Sequence, residues 1–282
     1  MRTVVFGAKG QLGRDLVAQF RQEGEVLGVD LPEVDIADAR AVESVCQAFH
    51  PDRVINAAAY TDVEGAEDDE AGAFRVNEAG AAYVAAAAAQ LGIPVLYYGT
   101  DYVFDGTKQR PYEPDDPVAP LCAYGRSKAA GEAATRTANP RHFIVRTAWL
   151  YGPGGNNFVE KILRAAASRP NLKVVSDEVG SPTHTWDLAE ATAAVFGTNC
   201  YGTYHAVNMG ACSRDVFARA ILRCARRDVT VAACPSSEFP TKARRPAYSV
   251  LSNARLEQRV GHQMRPWEEA LESYMKRRQD GE

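Results

Sequence analysis

The chain has 282 residues, 46% of them hydrophobic and 24% charged, a globular balance that excludes a disordered chain, a collagen repeat and a coiled coil. At about 150 residues per domain, this length holds two domains or one large one. With 32 Lys and Arg against 36 Asp and Glu, the net charge of −4 argues against a nucleic-acid partner bound through phosphate neutralisation.

The first apolar run, residues 3–6, reads as a buried strand and leads straight into Gly7-Ala8-Lys9-Gly10-Gln11-Leu12-Gly13. No signal-like apolar stretch precedes it, so the protein is expected in the cytoplasm. Glycines at Gly7, Gly10 and Gly13 suit a tight turn, close backbone approach to a pyrophosphate, and tight packing of the helix that follows. That helix is expected over 11–23. A second strand over 25–29 ends at Asp30, 23 residues after Gly7, where a carboxylate can accept hydrogen bonds from an adenosine ribose. Asp30 repels a 2′-phosphate and Leu31-Pro32 supplies no cation, so NADH is mildly favoured over NADPH.

A helix over 39–50, a strand over 53–55, a long helix over 64–91 and a strand over 94–98 follow. The uncharged stretch 79–100 is nominally long enough for a bilayer. Gln90, Gly92 and Pro94 interrupt it, and a helix followed by a buried strand is expected instead. Thr100 closes that strand. A helix over 123–137 carries Tyr124 and Lys128 four residues apart, hence on one face, and a fifth strand covers 142–146. Ketone reduction by hydride leaves negative charge developing on oxygen. A phenol can protonate that oxygen, a neighbouring ammonium stabilises the phenolate, and a second hydroxyl from Thr100 polarises the carbonyl.

Alternating strands and helices predict a doubly wound parallel sheet. Beyond Tyr151 the pattern loosens at Gly152-Pro153-Gly154-Gly155, Ser181-Pro182 and Arg245-Pro246. The expectation is an α/β protein: a Rossmann-type dinucleotide-binding domain over 1–150, joined by about 185–207, and a smaller α/β substrate lobe over most of 151–282. A late strand over 203–207 is expected to return to the first sheet. The six cysteines contain no Cys-x-x-Cys pair and read as free thiols. No His/carboxylate cluster suggests a metal; Glu67, Asp68, Asp69 and Glu70 read as a solvated helix face.

Together, the glycine loop, Thr100-Asp101-Tyr102-Val103-Phe104-Asp105-Gly106 and Tyr124-Gly125-Arg126-Ser127-Lys128 resemble the dTDP-4-dehydrorhamnose reductase family of extended short-chain dehydrogenase/reductases. The likeness continues through Asn56-Ala57-Ala58-Ala59-Tyr60-Thr61, Arg146-Thr147-Ala148-Trp149-Leu150-Tyr151-Gly152, Asn156-Asn157-Phe158, Gly180-Ser181-Pro182-Thr183 and Arg245-Pro246. The resemblance implies a catalytic triad of Thr100, Tyr124 and Lys128. It implies a cofactor surface of Gly7, Gly10, Gln11, Leu12, Gly13, Asp30, Asp35, Ile36, Ala58, Ala59, Tyr60 and Lys128. Tyr102, Trp149 and Asn157 are implied to meet a dTDP-sugar beside Thr100 and Tyr124. It further implies use of NADH or NADPH, and it admits a homodimer.

The chain departs from the family at Gly99 and Ala148, where serine is usual, at Glu178 in place of glutamine, and at Tyr248 in place of asparagine. These positions bear on which 4-keto-6-deoxy sugar is taken and on the C4 stereochemistry. Two rival readings are a nucleotide-sugar dehydratase or epimerase and a non-catalytic dinucleotide-binding subunit. Against the dehydratase, Asp101 is followed by Tyr102 rather than a second acid.

Overall fold

A computed structural model describes residues 1–280. The first strand, β1 (Arg2–Phe6), is buried from Thr3 onward, as a central parallel strand covered on both faces must be. Around it in chain order come α1 (Gln11–Arg21), β2 (Glu25–Val29), α2 (Ala39–Phe49) and β3 (Arg53–Asn56). They continue with the short α3 (Gly65–Asp68) and α4 (Glu70–Phe74), then α5 (Ala81–Gln90), β4 (Val95–Thr100), α6 (Ala123–Ala138) and β5 (His142–Thr147). Strand and helix alternate as the sequence predicts.

Six parallel strands form one sheet in the order β10-β5-β4-β3-β1-β2, in which β10 (Gly202–His205) is the late returning strand. The order turns at β1, which pairs with β2 on one side and β3 on the other. Phe6 lies level with both Val29 and Asn56. Gly7, Asp30 and Ala57 therefore leave the sheet together at its carboxyl edge, where open α/β sheets bind ligands.

Apolar side chains cover both faces of the sheet. On one side Leu12, Leu16 and Phe20 pack with Leu188, Val195 and Tyr204; on the other Val42, Cys46, Val84 and Ala88 pack with Val4 and Val54. Leu188 and Val195 belong to α8 (Thr185–Phe196), so this later helix shares the first core. Leu256 and Met264, farther along still, join it too.

The remaining elements gather round a second core of Val159, Leu172, Phe217, Trp267 and Leu271. They include β6 (Leu150–Tyr151), α7 (Phe158–Ala166), β7 (Asn171–Val175), β8 (Val179–Gly180) and β9 (Thr183–His184), together with β11 (Cys212–Ser213), α9 (Arg214–Cys224), β12 (Thr230–Cys234) and α11 (Trp267–Asp280), while α10 (Ala254–Val260) packs through Leu256 on the first core. Sheets here are only two strands wide.

The long helix expected over 64–91 is instead broken twice. Asp69 leaves helical geometry at φ −131°, ψ 62°, and its side chain caps α4 by accepting the Gly72 N–H at 2.9 Å. Arg75–Gly80 then form a π-helical turn. Gly80 fits there because a Cβ would lie 2.8 Å from Ile36. Among the described residues, no helix is long and apolar enough to cross a membrane.

Candidate active site

One cleft of about 1000 Å³ runs from the glycine loop, across the carboxyl edge of the sheet, to the second lobe. At its first end the chain offers main chain. Gly7, at φ +81°, accommodates the turn, and a Cβ there would lie 2.5 Å from the Ala58 nitrogen. A Cβ on Gly13 would meet the Gly7 oxygen at 2.0 Å, so the loop is as tight as its spacing implies. Gly10 caps α1 without a side-chain hydrogen bond, and no acidic residue occupies the first turn. The helix N-terminus therefore presents uncompensated N–H dipoles to an anion. These features fit the pyrophosphate of a dinucleotide.

Asp30 lines this end, with its two carboxylate oxygens accepting the N–H groups of Lys9 and Leu31, each at 2.8 Å. Asp35 and Ile36 line it as well. Asp35 does not cap α2. That role falls to Asp38, whose side chain accepts from Arg40 and Ala41 N–H groups. Asp35 instead accepts the Ala37 N–H and pairs with Arg75 at 2.9 Å, which together hold its carboxyl below the usual range.

Every residue expected at the site lines this cleft except Tyr60. Its main chain is clamped by Asn77, which donates to the Tyr60 oxygen at 3.1 Å and accepts the Tyr60 N–H at 2.9 Å. Asn77 also donates to Ser127 Oγ at 2.9 Å, and its own main-chain oxygen accepts the Tyr97 hydroxyl at 3.2 Å. The π-turn puts Asn77 at this junction, so one buried amide ties the β3 loop, β4 and α6 together. Ser127 lies between Tyr124 and Lys128.

Thr100, Tyr124 and Lys128 come together at the middle of the cleft. Thr100 Oγ accepts the Tyr102 N–H at 3.2 Å and donates to Asp101 at 3.1 Å. Burial pushes the Asp101 carboxyl up to about 6. Burial also drives the Tyr124 phenol well above its usual range, against the opposing pull of Thr100. Lys128 sits 4.1 Å from the centre of the Tyr97 ring, and burial brings its ammonium down to about 7 while Glu132 pulls the other way. The sequence suggests that Lys128 eases ionisation of Tyr124; in the resting site burial governs the phenol, and it is the Thr100 hydroxyl that opposes it. The phenol keeps its proton, and burial disfavours the charged form of Lys128.

At the second end, side chains replace main chain. Tyr102 packs edge-on to Tyr124 at 5.5 Å. Trp149 takes the left-handed conformation at φ +46°. Its ring lies beneath the Arg214 guanidinium at 4.1 Å, and a Cβ on Gly180 would meet it at 2.5 Å. Asn157 caps α7 by accepting the Glu160 N–H at 3.1 Å, and it donates to the Gly152 oxygen at 2.9 Å and to Gln11 at 3.3 Å. It thus links the glycine loop to the second lobe. Arg245, which also lines the cleft, pairs with Glu64 at 2.9 Å.

The family model described as RmlD substrate binding domain matches residues 1–279. The chain belongs to the RmlD family. Among its curated relatives is the spore coat polysaccharide biosynthesis protein SpsK of Bacillus subtilis, 41% identical over 98% of each chain. A solved dTDP-4-dehydrorhamnose reductase from Clostridium acetobutylicum superposes with a TM-score of 0.97 at 41% identity, covering 99% of this chain and 100% of that one. Another, from Bacillus anthracis in complex with NADP, gives 0.95 at 38% identity, covering 98% and 99%.

Two departures from the RmlD pattern have a structural account. At Gly99 a Cβ would stand 2.5 Å from Glu132 Oε1 and 2.7 Å from Arg146 Cγ. The glycine makes room for the buried Arg146–Glu132 pair, whose two hydrogen bonds measure 2.8 and 2.7 Å. Glu178 is ionically paired with Arg214 at 2.5 Å, so it supports the guanidinium that covers Trp149. Arg214, Asn77 and the Arg146–Glu132 pair were not singled out as site residues from sequence, because each acts through contacts distant along the chain. Arg245 was visible as an Arg-Pro motif, without a role. No group of three or more His, Cys, Asp or Glu among the described residues is arranged to hold a metal ion.

Proposed function

We propose that this chain is an NAD(P)H-dependent reductase that carries hydride to the C4 ketone of a dTDP-4-keto-6-deoxy sugar, converting dTDP-4-dehydro-L-rhamnose to dTDP-L-rhamnose. The observation that carries this reading is one continuous cleft with a glycine cradle at one end and Thr100, Tyr124 and Lys128 at its middle. NAD(P)H, when bound, supplies the hydride. The chain supplies the rest. Gly7, Gly10, Gln11, Leu12 and Gly13 hold a pyrophosphate, Asp30 holds a ribose, and Asp35, Ile36, Ala58 and Ala59 line the adjoining surface, with Tyr60 contributing by shaping the β3 loop.

Tyr124 donates the proton to the C4 oxygen. A phenol raised by burial stays protonated at neutral pH, so the donor is loaded before the ketone arrives. Negative charge reaching Tyr124 favours the protonated form of Lys128, and ribose hydroxyls beside it can accept its N–H groups. Thr100 positions and polarises the carbonyl, while Tyr102, Trp149 and Asn157 border the sugar nucleotide. We assign 1–150 together with about 185–207 to the dinucleotide unit and most of 151–282 to substrate binding; residues 281 and 282 lie outside the described structure. Cytoplasmic action and a homodimer complete the proposal, the latter to be read by light scattering at two concentrations.

The test is to mix purified protein with NADH or NADPH and dTDP-4-dehydro-L-rhamnose and follow nicotinamide absorbance. Consumption matched by dTDP-L-rhamnose is expected. Dinucleotide binding without turnover would favour the non-catalytic alternative.

A further inference from the structure

Apart from the cleft, the second lobe holds another cavity, of about 510 Å³, and no residue lines both. Its size falls within the range of small-molecule sites. The segment of α7 with its N-cap contributes to each, since Asn157 and Lys161 line the cleft while Glu160, Leu163 and Arg164 line the second cavity.

The floor of this cavity is apolar. Leu163, Ala225 and Met275 line it and pack within the second core, and Met275 is only 3% exposed. The rim is cationic. Arg164 comes from the last turn of α7, Arg227 from the segment after α9, and Arg278 from the last turn of α11. Three stretches distant along the chain thus bring guanidiniums to one place.

A single carboxylate stands among them. Glu160 accepts Arg278 Nε at 2.7 Å and Nη2 at 3.1 Å, together with the Tyr274 hydroxyl at 3.0 Å. The Arg278 hydrogen bond does most to hold the Glu160 carboxyl below its usual range. Glu160 is therefore taken up by Arg278, and neither Arg164 nor Arg227 is paired with a carboxylate among the described residues. The ends of α7 and α11 offset part of this charge, but a helix terminus carries only about half a charge against a whole one on each guanidinium. Three guanidiniums facing one carboxylate leave the rim in positive excess. Planar guanidiniums bind phosphoryl oxygens in pairs, and a diphosphate bridge, ionised on each phosphorus, suits that excess.

We propose that this second cavity is a binding site for the diphosphate group of a small organic molecule, held between Arg164, Arg227 and Arg278 with the rest of the ligand laid on Leu163 and Met275. The site is separate from the dinucleotide reading above, because none of its residues lines the cleft.

Met275 provides a local reporter. The chain has four methionines, Met1, Met209, Met264 and Met275, so methyl-labelled methionine gives a simple NMR spectrum in which Met275→Leu identifies the resonance. The full chain is titrated with inorganic pyrophosphate and, separately, with inorganic phosphate, at constant ionic strength so that general screening is the same throughout. Pyrophosphate is expected to shift the Met275 methyl in a saturable way, and phosphate to bind about tenfold more weakly. Arg164→Gln and Arg227→Gln are each expected to weaken pyrophosphate by about tenfold, the scale of one charge-assisted contact. Unmoved Met1, Met209 and Met264 resonances show that these variants keep the fold. A Met275 methyl that stays in place up to about 10 mM pyrophosphate, a shift that survives in the Arg164→Gln/Arg227→Gln double variant, or equal responses to pyrophosphate and phosphate would overturn the proposal. None of these outcomes bears on dinucleotide binding in the cleft.

Discussion

At the glycine-loop end of the cleft the binding surface is main chain from contiguous residues; toward the second lobe it is side chains delivered from distant segments. Gly7, Gly10 and Gly13 work by lacking a Cβ, and α1 works by leaving its first N–H groups open. Tyr102, Trp149, Asn157 and Arg245 come from four separate stretches and are held by Tyr124, Arg214, Gln11 and Glu64 respectively. A pyrophosphate is common to the two nicotinamide cofactors, and backbone suffices to bind it. A particular sugar must be distinguished by side chains, and those require support from elsewhere. Substitutions at the two ends should therefore fail in different ways.

The largest effect is expected where the two ends meet. Tyr124→Phe removes one hydroxyl and should lower kcat by about a thousandfold, within the range for loss of a positioned acid, while the Kd for NADH or NADPH is unchanged. Stopped-flow turnover and fluorescence titration check the two halves of that statement. Gly7→Val attacks the other end, since its Cβ would run into the Ala58 main chain. It should abolish dinucleotide binding, as measured by the same titration. If Gly7→Val bound normally, the main-chain account of that end would fail.

Next comes the support beneath the sheet. Arg146 and Glu132 are each 3% exposed, and Glu132→Ala leaves a buried guanidinium without its partner. A loss of about 3 kcal/mol in urea unfolding is expected. Because Glu132 is also the charge that Lys128 feels, the surviving folded enzyme should show a further lowered Lys128 pKa in its pH–rate profile.

A smaller effect follows from pH. Burial, with Arg146 beside it, brings the His205 ring down to about 3 from its ordinary 6.5. Between those values the unfolded chain binds a proton that the folded chain refuses, so stability falls as pH drops through 6.5 toward 3. Asp187 adds to the loss at lower pH. Burial raises its carboxyl, but His184, Arg265 and Asn208 outweigh that and hold it at about 2, so its contribution is present above 3.8 and disappears as pH falls toward 2. Urea midpoints taken from neutral pH to about pH 5 should decline for the unmodified chain and decline less for His205→Gln. The smallest effect is at Asn157→Ala, which removes the cap of α7 and should cost about 1 kcal/mol by the same measurement, with KM for the sugar nucleotide raised more than kcat is lowered.

The contrast between the two ends also explains what the sequence made legible. Gly7, Gly10, Gly13 and Asp30 are local features whose spacing carries their geometry, and the strand-helix alternation fixed which edge of the sheet they reach. Tyr124 and Lys128 were legible because both stand on one helix. The break at Asp69 and the π-turn at Arg75–Gly80 were not, since the alanine-rich stretch has the composition of continuous helix. What bends it is tertiary: Gly80 against Ile36, and Asn77 among Tyr60, Ser127 and Tyr97. Arg214 over Trp149 joins positions 65 residues apart in sequence, which no local pattern records. Tyr60, expected at the cofactor surface by its motif, does not line the cleft, and its main chain is held by Asn77.

The central claim is that hydride reaches a sugar ketone that Tyr124 protonates. Its most direct test is a single turnover with C4-deuterated NADH or NADPH and dTDP-4-dehydro-L-rhamnose, with the product read by mass spectrometry and proton NMR. The account predicts one deuterium at sugar C4 in dTDP-L-rhamnose from the unmodified chain and almost none from Tyr124→Phe, although that variant still binds the dinucleotide. Product formed without label at C4, or label transferred equally well by Tyr124→Phe, would contradict it.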